Sequence, residues 1–239
     1  MCGILGNFNK SSIINQIDLD NFFKFGECLK CRGPDNFGYF CDKSKKNYLS
    51  HYRLSIIDLS SNSNQPIISE DERYVVSFNG EIYNFKELSS KINKFKNKNI
   101  NSDTRVLTEY IATYGIEKTC TDINGMFSIA VFDQKKNYLY LVRDFFGKKP
   151  LYYSFQNENF FFSSTLKPII LNQKINKKID QKTLNNFFKY GYCSDNKSIF
   201  QNINKVPANS ILSLNLNNWE LKISKINNFK KNLEDPNHF

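Results

Sequence analysis

The second residue sets the terms for the whole chain. The N-terminus reads Met1-Cys2-Gly3-Ile4-Leu5-Gly6. Removal of Met1, usual before a small residue, makes Cys2 the first residue. One residue then carries a thiol and a free α-amine on adjacent carbons. A thiolate is a strong nucleophile, and an amine with an unperturbed pKa near ~8 can take and return a proton around neutral pH. A nucleophile activated by its own N-terminal amine is an established scheme. The stretch Cys2 to Phe8 is predicted to be a buried first strand, with Gly3 and Gly6 allowing close backbone approach. On its own, Cys2 reads as an ordinary buried cysteine near a chain end, and the other residues have to decide.

A chain of 239 residues accommodates one large domain or two small ones. Forty per cent hydrophobic and 15% aromatic residues suffice for a packed core and exclude disorder throughout. No apolar run approaches the ~20 residues of a membrane helix. No basic region precedes the short Cys2-to-Phe8 run, so no signal peptide is read. A soluble, cytoplasmic protein without a membrane partner is expected. Six cysteines (Cys2, Cys28, Cys31, Cys41, Cys120, Cys193) lack the density of a disulfide scaffold. The formal charge of +10 invites a nucleic-acid partner. Against this, the excess is Lys scattered among Asn, Ile and Phe. Four of the five arginines (Arg32, Arg53, Arg105, Arg143) fall inside the motifs below. The charge is read as a solvated Lys surface, with no nucleic acid bound.

Along the chain, Asp20 to Cys31 is predicted to be helical and to stop before Arg32-Gly33-Pro34-Asp35. Phe37 to Cys41 and Tyr48 to Ile57 read as strands, and Ser60 to Asn64 as a polar loop. A short strand, Tyr74 to Phe78, runs into Asn79-Gly80-Glu81. Helices are predicted over Phe85 to Phe95 and from Ser102-Asp103 to Gly115. From Gly125 the pattern becomes a meander of short strands: Phe127 to Phe132, Tyr138 to Val142, Leu151 to Phe155 and Phe160 to Ser163. Lys182 to Tyr190 reads as a helix and Ser210 to Leu216 as a strand. After Trp219 the chain is Lys- and Asn-rich and weakly patterned, as in a linker or frayed tail. Hairpin-like pairs without regular βαβ alternation predict an α+β fold with antiparallel sheets. The expected division is a domain over residues 1–190 and an extension over 191–239.

Several stretches match one family together and in its order. They are Met1-Cys2-Gly3-Ile4-Leu5-Gly6, Arg32-Gly33-Pro34-Asp35, His51-Tyr52-Arg53-Leu54-Ser55-Ile56-Ile57-Asp58 and Asn64-Gln65-Pro66. Further on come Phe78-Asn79-Gly80-Glu81-Ile82-Tyr83-Asn84, Ser102-Asp103-Thr104, Gly125-Met126-Phe127 and Arg143-Asp144-Phe145-Phe146-Gly147-Lys148-Lys149-Pro150-Leu151-Tyr152-Tyr153. Together they resemble the glutaminase domain of glutamine-dependent asparagine synthetases, a class II (N-terminal-nucleophile, Ntn) glutamine amidotransferase domain. The resemblance runs to about residue 167. It implies a four-layer sandwich of two antiparallel sheets between helical layers.

The residues suit glutamine hydrolysis. Attack by the Cys2 thiolate on an unreactive amide makes an oxyanion, which needs preorganised donors. Asn79 can offer its side-chain amide and Gly80 its backbone N–H. The substrate carboxylate calls for a bidentate cation, and Arg53 suits it. The ammonium calls for carboxylates, and Glu81 and Asp103 are the candidates. The resemblance assigns the same roles and adds backbone contacts from Arg53, Leu54, Ser55, Ile56 and Ile57. Each residue also has a plain reading. Arg53 could be a surface ion-pair partner, Asn79-Gly80 a hairpin turn and Asp103 a helix cap. For Arg32, Asp35, Asp144, Gly147 and Lys149 a structural role around the site is expected. Cys28-Leu29-Lys30-Cys31 lacks the second ligand pair a structural zinc site wants, and two helix-face cysteines are expected, with no metal.

The chain departs from the family's pattern. Arg105 stands where the family usually has Glu after Ser-Asp-Thr, a charge reversal beside the ammonium site. Thr165 stands where the family often has Glu, and Val206-Pro207-Ala208-Asn209-Ser210 replaces a Pro-Gly turn. No Ser-Gly-Gly-x-Asp-Ser loop for ATP phosphates is present. The chain is therefore expected to be a piece of a longer protein, or a subunit that delivers ammonia to a separate synthetase domain or subunit. The resemblance implies no cofactor for the glutaminase step, and ATP and Mg only in the absent half. Other readings stay open: a catalytically silent module that binds glutamine or a partner, or a glutaminase subunit for another amidation, such as of a sugar. A homodimer is left open too.

Overall fold

The computed structural model describes residues 1–226 apart from Ser12, Ile14, Asn97, Asn99 and Asp195. The tail expected from composition, residues 227–239, lies outside the described residues. Two six-stranded sheets dominate the fold. Sheet A contains β1 (Gly3–Asn9), β2 (Asn36–Cys41), β3 (Asn47–Arg53), β8 (Tyr152–Gln156), β9 (Asn159–Ser163) and β10 (Asn204–Lys205), in the order β10-β8-β9-β1-β3-β2. Sheet B contains β4 (Ile67–Ile68), β5 (Tyr74–Ile82), β6 (Gly125–Asp133), β7 (Tyr138–Arg143), β11 (Ser210–Asn215) and β12 (Glu220–Lys225), in the order β12-β11-β7-β6-β5-β4. Every pairing is antiparallel.

The sheets pack face to face. Ile4 and Phe8 of β1, Leu49 of β3, Phe160 and Phe162 of β9 meet Val75, Ala130, Phe132 and Leu212 of sheet B in one buried cluster. Strand alternation puts Gly6 on the same face as Ile4 and Phe8. A Cβ there would lie 2.1 Å from the Phe162 ring, so only glycine leaves room for that ring. Outside sheet A, α1 (Gln16–Gly26) and α5 (Leu166–Leu171) bury Phe22 and Ile169 against Leu5, Tyr48 and Phe161. Outside sheet B, α2 (Phe85–Lys91), α3 (Asp103–Tyr114) and α4 (Ile116–Asp122) cover Val76, Phe78 and Ile129. The layers run helix, sheet, sheet, helix, the α+β four-layer sandwich that the motifs imply. The last helix among the described residues, α6 (Gln181–Tyr190), is capped by Asp180, whose side chain accepts from the Thr183 N–H. Among the described residues no helix is long and apolar enough to cross a membrane.

Several elements differ from the sequence expectation. β3 stops at Arg53, and residues 54–59 leave the sheet. β5 does not stop at Phe78 but continues through Asn79 and Gly80 to Ile82, so that dipeptide is no hairpin turn. α1 begins earlier than expected because the Asn15 side chain caps it, accepting from Asp18 N–H at 2.9 Å. The segment after Trp219 is not weakly structured as far as Lys225: it forms β12, an edge strand paired along β11. Beyond residue 190, β10 joins sheet A, and β11 and β12 join sheet B.

Along β3, Leu49, His51 and Arg53 share one face, as Val75, Ser77, Asn79 and Glu81 do on β5. The space between the sheets therefore grades from apolar to polar toward one end. His51, fully buried, bridges the two sheets there: its Nε2 lies 3.0 Å from the Phe78 carbonyl oxygen. Since that oxygen can only accept, Nε2 carries the proton.

Two outcomes follow from this architecture. Ending the chain at Tyr190 would remove β11, with Leu212 and Leu214 of the inter-sheet cluster, and uncover Leu139 and Leu141 of β7, so that fragment is expected to lose cooperative urea unfolding, while a chain ending at residue 226 keeps it. Burial depresses the His51 pKa from 6.5 to about 4. Between those values the unfolded chain binds a proton that the folded chain refuses, so stability falls as pH drops through this window. Compared with His51→Gln, which can still donate to Phe78, the native chain should lose roughly 3 kcal/mol more between pH 6.5 and 4, read from urea midpoints.

Candidate active site

Cys2 sits at the polar end, just before the central strand of sheet A. A cavity of about 90 Å³ opens at its thiol, lined by Met1, Cys2, Arg53, Leu54, Ile56, Ile57, Asn79, Gly80, Glu81, Asp103 and Lys149, among others. Nine of the ten residues expected from sequence thus meet in one place. Ser55 is the exception and lies outside the lining: its N–H donates to Asp35 Oδ2 at 2.7 Å. Larger cavities of about 590 and 1090 Å³ lie elsewhere, and no cysteine lines either.

The thiol is held over the Leu54 peptide. Leu54 N–H donates to Cys2 Sγ at 3.4 Å, and Sγ lies 3.6 Å from the Leu54 carbonyl oxygen. Burial pushes the Cys2 thiol above its ordinary pKa, while the Leu54 N–H, the N-terminal ammonium and Arg53 pull the other way. The terminal amine, here on Met1, is lowered chiefly by burial. Arg32 steadies this end of the chain, with Nε donating to the Cys2 carbonyl oxygen at 3.1 Å.

Arg53 is 5% exposed. The loop leaving β3 wraps around its guanidinium: Nη1 donates to Ser60 O and Asn64 Oδ1, both at 2.7 Å, and Nη2 donates to Asp58 O. All three acceptors are neutral. A guanidinium has five N–H groups, so two remain for a further partner. Two carboxylates, Asp103 and Glu81, line the same cavity. Asp103 opens α3 and is buried, with Oδ2 accepting from Ile82 N–H at 3.2 Å. Burial raises its pKa, and the Glu81 charge adds to the rise. Among the described residues neither Arg53, Asp103 nor Glu81 has an ion-pair partner.

β5 lines the same cavity through Asn79, Gly80 and Glu81. Asn79 is 1% exposed and its Nδ2 has no hydrogen-bond partner among the described residues. A buried donor left unpaired costs about 1–3 kcal/mol, so its persistence calls for a reason. Phe78 N–H donates to Gln65 Oε1 at 2.6 Å and Ile82 N–H to Asp103 Oδ2, on the side of β5 away from β6. Antiparallel alternation points the Gly80 N–H the same way, into the cavity. A Cβ on Gly80 would lie 2.1 Å from the Met126 carbonyl oxygen, so glycine is also required for β5 to approach β6.

The supporting motifs fall around this centre. The Asp144 carboxylate accepts from the N–H groups of Phe127, Phe146, Lys148 and Lys149, fixing the loop that carries Lys149. Arg105 does not line the cavity: its Nη2 is 3.2 Å from Glu70 Oε1, on a network with Lys94 and the buried Glu109. Gln65 and His51 were legible only as motif letters. The structure gives them a task, holding the N–H and the carbonyl of Phe78, next to Asn79. Among the described residues no group of three or more His, Cys, Asp or Glu could hold a metal ion.

Comparison with known proteins agrees with this geometry. A family profile described as glutamine amidotransferase domain matches residues 1–224. The chain is 35% identical, over 88% of its length, to glutamine-hydrolyzing asparagine synthetase 1 of Bacillus subtilis, of which it covers 33%. It is 36% identical, over 93% of its length, to asparagine synthetase 2 of the same organism, of which it covers 30%. The chain thus spans about a third of these relatives. A solved glutamine phosphoribosylpyrophosphate amidotransferase from B. subtilis shares the fold, with a TM-score of 0.65 at 14% identity over 94% of this chain and 49% of that one. With a profile match running from the first residue through nearly the last described strand, the chain belongs to the glutamine amidotransferase domain family.

Proposed function

We propose that this chain, once Met1 is removed, hydrolyses glutamine to glutamate and ammonia through a Cys2 thioester. The observation that carries the reading is the set of unspent groups around one small cavity: a buried cation, a carboxylate pair and an orphaned amide donor, all facing a thiol. A glutamine zwitterion supplies the complement of each. Its carboxylate pairs with the two remaining Arg53 N–H groups, and its ammonium with Asp103 and Glu81. Its side-chain carbonyl then reaches Cys2.

The Cys2 amine takes the thiol proton. The thiolate attacks the amide carbon, and the oxyanion is met by Asn79 Nδ2 and the Gly80 N–H. Loss of one such donor typically raises the barrier by ~3 kcal/mol. The amine returns the proton to the departing ammonia, and water then cleaves the thioester. Met1 lines the cavity, so its removal both frees the amine and widens the site. The step needs no cofactor.

The names of the relatives point to asparagine synthesis as the use of the ammonia. In that reading ATP and Mg act in a further synthetase domain or subunit, and residues 1–226 are the glutaminase unit. We place the reaction in the cytoplasm, where the chain's free cysteines stay as thiols. The ion pair of Arg105 with Glu70, outside the cavity lining, favours a working site over a silent one.

Protein lacking Met1 should release glutamate and ammonia from glutamine without ATP. Cys2→Ala should abolish turnover with an unchanged circular dichroism spectrum, and activity in Cys2→Ala would refute the mechanism. Asp103→Asn separates binding from stability. Burial holds the Asp103 pKa above its unfolded value of 3.8, so the folded state binds the proton more tightly and ionised Asp103 weakens folding once pH rises past that range. At neutral pH, Asp103→Asn should unfold at the same or a higher temperature than the native chain, while the KM for glutamine rises roughly tenfold or more.

A further inference from the structure

Cys28 and Cys31 take no part in the proposed chemistry, yet they sit on the turn that holds it. The chain enters the turn as a 3-10 segment, Glu27–Leu29. It goes on with Lys30 N–H to Glu27 O at 3.0 Å and Arg32 N–H to Leu29 O at 2.9 Å. In so tight a turn, side chains three residues apart stack over one another, and that is the relation of Cys28 to Cys31. Cys31 Sγ donates to the Cys28 carbonyl oxygen at 3.2 Å, and Cys28 Sγ to Phe25 O at 3.1 Å. Both thiols are free, Cys31 exposed and Cys28 half-buried. Burial raises the Cys28 pKa, Lys167 opposes it, and Cys31 lies near enough to raise it further. Helical neighbours at this spacing have Cβ atoms about 5–6 Å apart, and a small adjustment of the turn brings them to the 3.5–4.5 Å of a disulfide.

The same turn touches the site at three points. Leu29, between the two cysteines, is fully buried against Gly3: a Cβ on that glycine would lie 2.9 Å from Leu29 Cβ. Arg32, directly after Cys31, holds the Cys2 carbonyl oxygen. Gly33 abuts the backbone of β3, where a Cβ would lie 2.1 Å from Tyr52 O and 2.7 Å from the carbonyl carbon of Arg53. A bond between Cys28 and Cys31 removes the hydrogens that both thiols now give to carbonyls and tightens the turn carrying these contacts.

We propose that Cys28 and Cys31 are a reversible dithiol–disulfide pair that reacts with low-molecular-weight disulfides and, when closed, lowers the reactivity of Cys2 through Arg32 and Leu29. The Cys31 thiolate attacks one sulfur of the small disulfide, forming a mixed disulfide and releasing one small thiolate. The Cys28 thiolate then attacks the Cys31 sulfur, closes the protein disulfide and releases the second. The protein loses two electrons, the small disulfide gains them, and the two protons leave on the released thiols. A transient, sensing disulfide of this kind is the form that cytosolic proteins use. The disulfide stands on the turn geometry alone, and only its regulatory meaning rests on the glutaminase reading.

Oxidised glutathione is the probe. In the full chain carrying Cys2→Ala, trypsin cuts after Lys24, Lys30 and Arg32, giving peptides 25–30 and 31–32. After treatment these should appear joined, lighter than their sum by two hydrogens, and separate again with dithiothreitol. A persistent glutathione adduct on Cys31, or unjoined peptides, overturns the pair. In the chain with native Cys2, iodoacetamide labelling of Cys2 should slow about tenfold after treatment. It should recover with dithiothreitol and stay fast in Cys28→Ser/Cys31→Ser. Cys31→Ser alone, at an exposed position, should behave like the double variant. Equal slowing with and without the cysteine pair overturns the coupling. Absence of glutaminase turnover in the untreated chain would refute the proposed function, while joined peptides and Cys2 labelling would still decide this inference.

Discussion

Arg53 is a cation held inside the protein by neutral oxygens. Three carbonyl-type acceptors from the loop after β3 grip it, and no carboxylate among the described residues pairs with it. Desolvating a guanidinium without a counter-charge opposes folding, so the surroundings have to hold it in place. Asp58 accepts from Ser60 N–H and Ser63 Oγ, Asp35 pins Ser55, and the chain is forced out of the sheet at Arg53. The loop that results is the wall of the cavity. The Cys2 thiol, Asn79, Gly80 and the two carboxylates line the same cavity as this one buried charge.

The same logic applies across the site. Asn79 Nδ2 and His51 Nδ1 are buried without partners among the described residues, and Asp103 is a carboxylate in a dry place. Each weakens the empty protein. The apolar end of the sandwich, where Phe8 meets the Phe132 and Phe162 rings at 5.4 and 6.1 Å, offsets them. A gradient from apolar to polar along the strands lets one pair of sheets serve both as support and as site.

Much of this was legible in the sequence, because the strands alternate cleanly and the motifs carry charged or amide side chains. What was missed has physical reasons. Asn79-Gly80 has strong turn propensity, but Gln65 and Asp103 capture the flanking N–H groups of β5 and keep it extended, and no local pattern reveals partners so far away in sequence. Gly115, read as a stop, both ends α3 and begins α4, with φ at +82°. β12 escaped notice because an exposed edge strand alternates Lys and Glu with Leu and Ile, as edges that resist pairing do. The direction of Arg105 was invisible because its partner, Glu70, lies in the distant turn between β4 and β5.

The position of β1 has a temporal side. It is flanked by β3, whose residues follow within about fifty positions, and by β9, where Leu5 pairs with Ser163. During synthesis the N-terminus therefore waits, unpaired on one side, until the second flank has left the ribosome. For that interval the Cys2 thiol, half-buried in the folded chain, is at its most exposed.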